Sequence, residues 1–552
     1  MKAIKLIDDT LSKEVYSIIF ESGQYLYNNH GLVHWKDGYP LERIQDDIKN
    51  KEVYLFKCND EYVGTVTISY TNAYFDDDAK ALYFSKFAVL PSKMKCGYGK
   101  QILEYIKRIA KEANKKYLRC DCYEKSLESL LFYYHNGFYF SHKEKTKHFV
   151  IECLEYQIKK RVLVIGAGFL QAYVIKKSKE LGYYTCAVDG SETAPGFQYA
   201  DEYSVIDIVD KQACLAYAKE KQIDGVLTAA TDYGVLTSSY IARELNLKGL
   251  DYNIAKIIKN KYLVQQLLYK NGVINSPCFE LSSQNEIEEI KDQIKYPIIV
   301  KPCDGSGSRG ISKVEFEQDL VSSVEQALSN SISKKCIIEP FISGKEYGAE
   351  FFVYEDNIYD LIVMKKKMTN EPYYAELGHS NCLDDIIKNK VLKKAHQIIN
   401  VLGINFGSIN MDFIVNNENI YMVDIGARMG GNLIGSHIIP YSNGIDYMKM
   451  MVEVSLGNKF DCNIKFNRPI STRIITLDTG IVQSIDMDKI NSIDCLYKLI
   501  LPKIGSQVHG YRNNLDGCGY IICTGENEFE AELNADNALN TIKEAINVER
   551  GE

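Results

Sequence analysis

The period of the hydrophobic pattern changes along the chain, and each change marks an element. Apolar and polar positions alternate over 52–56 and 63–69, as in two strands paired across the turn Asn59-Asp60-Glu61. Residues 82–90 predict a third strand, ended by Pro91, and 117–122 a fourth. Between them 101–113 has helical periodicity, with Ile102, Leu103, Ile106 and Ile109 on one face. A second helix is predicted over 127–136, closing at Gly137-Phe138. Beyond the short polar linker 157–161, unbroken apolar runs take over. Val162-Leu163-Val164-Ile165 is a strand entering a glycine turn, followed by a helix to about residue 181 and a strand over 184–188 that ends at Asp189. Ile298-Ile299-Val300 is a short buried strand that carries Lys301 to its end, where Pro302 stops it. Residues 336–339 predict another strand. From about residue 467 the chain is again β-rich, with strands over 473–477 and 519–524 and a helix over 529–546. The order predicts an α/β multidomain chain whose first domain is 1–155, because 552 residues exceed what one core holds.

Composition narrows the class without naming a chemistry. A hydrophobic content of 46% is ordinary for a globular protein, and a net charge of −8 leaves no broad basic footprint for nucleic acid. The 15 cysteines have no zinc spacing, and Cys120-Asp121-Cys122 lies within a predicted strand, where packing explains it. Scattered thiols suit a reducing compartment, so a cytoplasmic enzyme is expected. No apolar run is long enough to span a membrane, and the N-terminus lacks the apolar segment of a signal peptide.

The candidate chemistry gathers after residue 260. Lys301 precedes Asp304-Gly305-Ser306-Gly307-Ser308-Arg309-Gly310, a loop of glycines and hydroxyls whose backbone N–H groups can form an anion-binding concavity. Lys261 lies ahead of it. After it come Glu339-Pro340-Phe341-Ile342-Ser343-Gly344-Lys345-Glu346, then Asp412 in Asn410-Met411-Asp412-Phe413 and Asp424 in Val423-Asp424-Ile425-Gly426-Ala427-Arg428. In this order the stretch resembles the ATP-grasp superfamily. The resemblance implies ATP held by Lys261, Lys301, Ser306, Gly307, Ser308, Glu339, Phe341, Ile342 and Glu346. Both lysines would contact phosphates, the backbone at Phe341 and Ile342 adenine, and Glu346 the ribose. It also implies Mg²⁺ (or Mn²⁺) held by Asp412 and Asp424 as hard oxygen ligands. The asparagine that the family has two residues after the second acid is Gly426 here. The run from Asp424 through Arg428 to Asn432, with Glu376-Leu377-Gly378-His379, resembles the L-amino-acid ligases and related carboxylate–amine ligases. Arg428 would grip a carboxylate or acyl phosphate, Glu376 a substrate amine, and the loop residue His379 would orient a carboxylate or accept a proton. Lys365-Lys366-Lys367 reads as a solvated charge run, with one phosphate contact as the alternative. Asp232 is placed at a strand end.

The glycine turn at Gly166-Ala167-Gly168 resembles a dinucleotide site with Asp189 as its acid, except that Gln171 replaces the third glycine. The ATP-grasp resemblance implies that this is a Rossmann-like subdomain over 160–253, ahead of an ATP-grasp domain over 254–460 and a small C-terminal α+β domain over 461–552. Near the N-terminus, Val89, Pro91, Gly97 and Gly99 match the pattern V-x-P-x-x-R-G-x-G-x-G, with Met94 and Lys95 at its R-G positions, and Tyr133, Gly137 and Phe138 match the pattern Y-x-x-x-G-F. Both resemble the GNAT family of acetyl-CoA-dependent N-acetyltransferases. That resemblance implies acetyl-CoA on Val89, Lys95, Gly97, Tyr98, Gly99 and Lys100, with Tyr133 as general acid toward the leaving thiolate and His34-Trp35 near the acceptor. The arginine and first glycine of the pattern are absent.

Together these imply a bifunctional enzyme acting on small-molecule carboxylate and amine substrates, with no nucleic-acid or membrane partner. The assembly is left open between monomer and homodimer. Two other readings stay open: an ATP-grasp enzyme with a thiol or bicarbonate nucleophile, and a nucleotide-sensing protein with a degenerate acetyltransferase domain.

Overall fold

A computed structural model describes residues 1–76, 80–113, 115–304, 310–371, 373–417 and 419–549. The chain forms two compact units, Met1–Lys159 and Lys160–Glu552.

The first unit is built on a seven-stranded sheet. Its spatial order is Lys2–Lys5, Glu52–Cys58, Glu61–Ser69, Ala81–Val89, Tyr117–Tyr123, Val150–Gln157, Tyr139–Lys145. All neighbours are antiparallel except Ala81–Val89 and Tyr117–Tyr123, which run parallel and pair only over Ala81–Tyr83 with Tyr117–Arg119. Past that point the ladder ends, and Lys86 takes a left-handed φ of 51°. The predicted helical face packs Ile102, Leu103 and Ile106 against Phe56, Phe84 and Leu118. Burying each such side chain contributes about 1.5–3 kcal/mol. The helices Ser12–His30 and Leu41–Asn50 were not legible in the sequence. The first hides Ser22 and Gly23 within its apolar stripe, because a Cβ at Gly23 would meet the Trp35 carbonyl. The edge strand Tyr139–Lys145 is exposed at all but His142, without alternation.

The second unit opens with a parallel four-stranded sheet, in the order Glu202–Val205, Tyr184–Asp189, Arg161–Ile165, Gly225–Thr228. An antiparallel four-stranded sheet follows: Phe279–Leu281, Cys336–Pro340, Ile298–Pro302, Ser312–Val314. The third sheet has eight strands, from Asn419–Gly426 through Phe406–Asn416, Lys345–Tyr354, Asn357–Met368 and Glu376–Asn381 to Ile470–Ile474, Gly519–Thr524 and Tyr497–Ile500. The C-terminal strands therefore extend the central sheet, joined where Ser380 faces Ser471.

Strand period two decides what reaches the site. In Phe406–Asn416, Ile409, Met411 and Phe413 are buried against Val391, Ala395, Ile398 and Ile399 of helix Asp385–Leu402. The alternate residues Asn410, Asp412 and Ile414 consequently line a cavity on the other face. The helix is fixed at its start by Asp384, which accepts from the Ile386 and Ile387 N–H groups, and it ends at Gly403 with φ 65°.

Candidate active sites

The turn after strand Arg161–Ile165 is closed by its own side chains. The Gln171 amide donates to the Ala229 carbonyl. Its side chain lies so near that a Cβ on Gly168 would stand 2.8 Å from its Oε1. Asp189 accepts from the backbone N–H groups of Ala167 and Ser191, at 2.7 and 2.9 Å. The room that a third glycine would leave is filled, and both Asp189 oxygens accept from backbone N–H groups.

A cavity of about 1280 Å³ lies beside this turn. Lys261, Lys301, Glu339, Phe341, Ile342, Glu346, Lys366, Glu376, Asp412, Asp424 and Arg428 all line it. Its charges are engaged in pairs. Lys301 Nζ lies 2.5 Å from Glu339 Oε1 and donates to the Val423 carbonyl at 3.0 Å. Lys261 pairs with Asp424. Lys366 bridges Glu376 Oε1 at 2.5 Å and Asp412 Oδ1 at 2.7 Å. Arg428 grips Asp232 in a fork, Nε to Oδ1 at 2.9 Å and Nη2 to Oδ2 at 3.0 Å, and its Nη1 donates to the Met429 carbonyl at 3.2 Å.

These pairings set the protonation pattern. Burial alone would raise the Asp424 carboxyl, but the ammonium groups of Lys261 and Lys301 outweigh it and hold it below its ordinary value. The same contest at Asp232 is won by Arg428. At Glu376 burial is overcome by Lys366 first, then His379 and Asn432, and the carboxyl falls to about 2. Asp412 goes the other way: burial prevails over Lys366, and its carboxyl is raised. Glu346 is pushed up to about 7, chiefly by burial, with Asp412 and Glu376 adding to the rise.

Asp412 and Asp424 face each other directly across two antiparallel strands. No group of three or more His, Cys, Asp or Glu able to hold a metal occurs among the described residues. The two carboxylates therefore fit a hard divalent cation only together with a ligand that brings further oxygens, such as nucleotide phosphates. The place of the missing asparagine is filled: a Cβ on Gly426 would lie 3.1 Å from Asp232 Oδ1 and 3.4 Å from Arg428 Cζ.

In the first unit, helix Tyr98–Glu112 starts at Gly97, with φ 80° and no side-chain cap. Nothing lies within 4 Å of where a Cβ on Gly97 would stand. The first N–H groups of this helix are thus offered outward, as anion binding requires. Val89 ends the strand that feeds the turn. Lys95 adopts φ 61° at the position where the family pattern has its first glycine, so the backbone keeps the glycine conformation with a lysine side chain. Lys100 is exposed in the first turn of the helix, Gly99 faces the Phe132 ring, and the Tyr98 hydroxyl reaches Cys58 Sγ at 3.5 Å. His34 lies against the rings of Trp35, Tyr123 and Phe149, and burial lowers its pKa.

Comparison with known proteins accounts for both units. The model of the acetyltransferase (GNAT) family matches residues 15–138, that of the ATP-grasp domain 258–432, and that of the L-amino acid ligase C-terminal domain 2 residues 473–546. The chain is a GNAT domain fused to an ATP-grasp ligase. Among curated relatives, the formate-dependent phosphoribosylglycinamide formyltransferase of Prochlorococcus marinus (strain MIT 9515) is 24% identical over 290 residues, covering 49% of this chain and 70% of that one. The enzyme of the same name from Methanococcus vannielii is 28% identical over 191 residues, 33% of this chain and 48% of its own. Among solved structures, phosphoribosylglycinamide synthetase from Anaerococcus prevotii has a TM-score of 0.58 at 25% identity, covering 71% of this chain and all (100%) of that one. L-amino acid ligase from Bacillus licheniformis has a TM-score of 0.62 at 19% identity, over 71% and 99%. No helix among the described residues is long and apolar enough to cross a membrane.

Within this ATP-grasp ligase, several sequence expectations change. Ser306, Gly307 and Ser308 lie outside the described residues. Lys365-Lys366-Lys367 is no solvated run: strand period two sends Lys366 into the cavity, while Lys365 pairs with Glu528 and Lys367 with Asp536. His379 sits in strand Glu376–Asn381 rather than a loop. It is fully buried with no hydrogen bond to its ring among the described residues, and burial lowers its pKa to about 4. The Phe341 N–H is taken by the Pro297 carbonyl at 3.0 Å, so this donor is not free for adenine. Asp232 stands just before helix Tyr233–Glu244, past the strand end, and its carboxylate meets Arg428 rather than the helix N–H groups. In the GNAT domain, Tyr133 lies buried among Phe84, Phe87, Phe132 and Phe138, its hydroxyl held far above its ordinary pKa by burial.

One residue escaped the sequence reading altogether. Glu350 is fully buried and accepts from the Asn410 amide at 2.7 Å and the Gly430 N–H at 2.9 Å. Burial pushes its carboxyl up to about 8, against the pull of Asn410 and Arg428. A Cβ on Gly430 would come within 2.3 Å of Glu350 Oε1, so only glycine seats the 428–432 loop on this peg. Just after Gly430, Asn432 and Leu433 take positive φ values of 48° and 63°. Its apolar surroundings in the strand Lys345–Tyr354 gave no sign of a polar role.

Proposed function

We propose that the second unit is an ATP-dependent carboxylate–amine ligase working through an acyl phosphate, and that the first is an acetyl-CoA-dependent N-acetyltransferase. The observation that carries the ligase reading is the convergence in one cavity of two facing aspartates, the lysines Lys261 and Lys301, Arg428 and Glu376. Asp412 and Asp424 would hold Mg²⁺, which when bound supplies charge neutralisation for the transferring phosphoryl group. Lys261 and Lys301 would exchange their carboxylate partners for phosphate oxygens. Arg428 has five N–H donors, of which Asp232 and Met429 occupy three, and the remaining two, one on each Nη, would receive the substrate carboxylate. That carboxylate attacks the γ-phosphorus, ADP leaves, and an amine then displaces phosphate from the acyl carbon to give the amide. Glu376, ionised throughout, would hold an ammonium. In the first unit, the uncapped helix at Gly97 would take the pyrophosphate of acetyl-CoA.

A screen of ADP release over pairs of carboxylates and amines tests the ligase, with thiols and bicarbonate as rival nucleophiles in the same plates. Amide formed with an amine supports it; ADP released only with a thiol or bicarbonate, or with no acceptor at all, overturns it. Titration calorimetry with acetyl-CoA tests the first unit, and heat without saturation overturns that half.

A further inference from the structure

One wall of the ligase cavity has no part in the chemistry above. Phe169, the first residue of helix Phe169–Glu180, stacks on Tyr520 with ring centroids 6.5 Å apart and 3° between planes. Leu170 follows it, its Cδ1 3.8 Å from where a Cβ on Gly431 would stand. Tyr520 also donates to Asn432 Oδ1 at 3.4 Å, and Asn432 in turn donates to Glu376. Leu515 lines the same cavity and is 80% exposed. The wall thus stands next to the groups that would hold the carboxylate and the amine. It is assembled from both ends of the unit, by the closed glycine turn and by the C-terminal strand Gly519–Thr524. The Gln171 side chain that shuts this turn to a dinucleotide lies beside the two apolar residues it presents to the cavity.

We infer that the carboxylate substrate is a small acid carrying a bulky apolar group, branched aliphatic or aromatic, close to its carboxylate. With the carboxylate on the two remaining donors of Arg428, that group lies against Phe169, Leu170 and Tyr520. A small or charged acid leaves this surface wet or forces a charge against it, at a cost in specificity of about 100-fold. The inference rests on the ligase reading above.

The test uses the full chain with ATP, Mg²⁺ and hydroxylamine, which intercepts an acyl phosphate as hydroxamate and phosphate whatever the natural amine is. Leucine, phenylalanine and their desamino analogues are compared with glycine, aspartate and lysine. The expected result is a kcat/KM for the bulky apolar acids about 100-fold above the others. Leu515→Asp, at an exposed position that leaves folding intact, should raise KM for those acids severalfold without changing ADP affinity, and Leu170→Asp should do so more strongly. Turnover best with glycine, aspartate or lysine, or insensitive to both variants, overturns the inference alone. ADP released with no acid of any kind overturns the ligase reading as well.

Discussion

Two glycine turns, each between a strand and a helix, look alike as sequence and differ as structure. At Gly97 the turn is open, its helix uncapped and the place a Cβ would take on Gly97 clear of other atoms. At Gly166-Ala167-Gly168 the turn is filled by Gln171, and its acid Asp189 is occupied by backbone donors. Glycine permits a ligand's approach, but the side chains that follow decide whether the room is kept. The contrast extends to the sites around each turn. In the first unit the donors are offered; in the ligase cavity almost every charge already has a partner. Changes at engaged groups should therefore cost both function and stability, and changes at the open turn binding alone.

The largest effect is expected for Asp424→Asn. It removes an anionic ligand while keeping the shape, and ADP release at saturating Mg²⁺ should fall on the order of 10³-fold, with acetyl-CoA binding by the first unit untouched. Unchanged ADP release would take Asp424 out of the metal site. Next is Lys301→Ala, which strands Glu339 in a buried setting. Urea unfolding should show a loss of about 3 kcal/mol in the second unit, together with weaker ATP binding. Weaker binding at unchanged stability would mean that the pair is not engaged in solution.

Glu350→Gln sharpens the comparison through pH. The folded carboxyl stands at about 8 against an ordinary 4.5. Its contribution to stability is thus full below 4.5 and is lost as pH rises through 8. Glutamine keeps the acceptor for Gly430 and does not titrate. The variant should lose less stability than the parent between pH 5 and 9, and parallel melting curves across that range would contradict a protonated Glu350. Gln171→Ala should cost roughly 1 kcal/mol for the lost hydrogen bond and gain no NAD binding, because Asp189 stays occupied. Saturable NAD binding would show that the plug alone shuts the turn. The smallest effect belongs to Lys100→Ala at the open turn: acetyl-CoA binding should weaken severalfold while stability moves by less than about 0.5 kcal/mol.

The fold class was legible because its signals are local. Strand 519–524 and the helical face of Ile102, Leu103 and Ile106 follow from period alone, and Lys301 lies near the strand end where the Pro302 stop puts it. What the sequence hid depends on distant partners. Arg428 meets Asp232 across 196 positions, Lys261 meets Asp424 across 163, and Glu350 meets Gly430 across 80. No periodicity encodes such pairings. Lys366 was hidden differently, since three adjacent lysines look like a surface until the strand assigns alternate ones to opposite faces.

Those three lysines bear on any attempt to reshape the enzyme by exchanging parts. Lys365 and Lys367 are tied to Glu528 and Asp536 of the C-terminal helix Glu528–Ala545, and Asp536 is shared with the buried Arg473 at 2.6 Å. The helix therefore grips the strand on both sides of the residue that stands between Glu376 and Asp412. A C-terminal piece taken from a relative to broaden substrate range would have to bring acids at these two positions. A graft without them would leave its new wall hanging on a strand whose central lysine had lost its alignment.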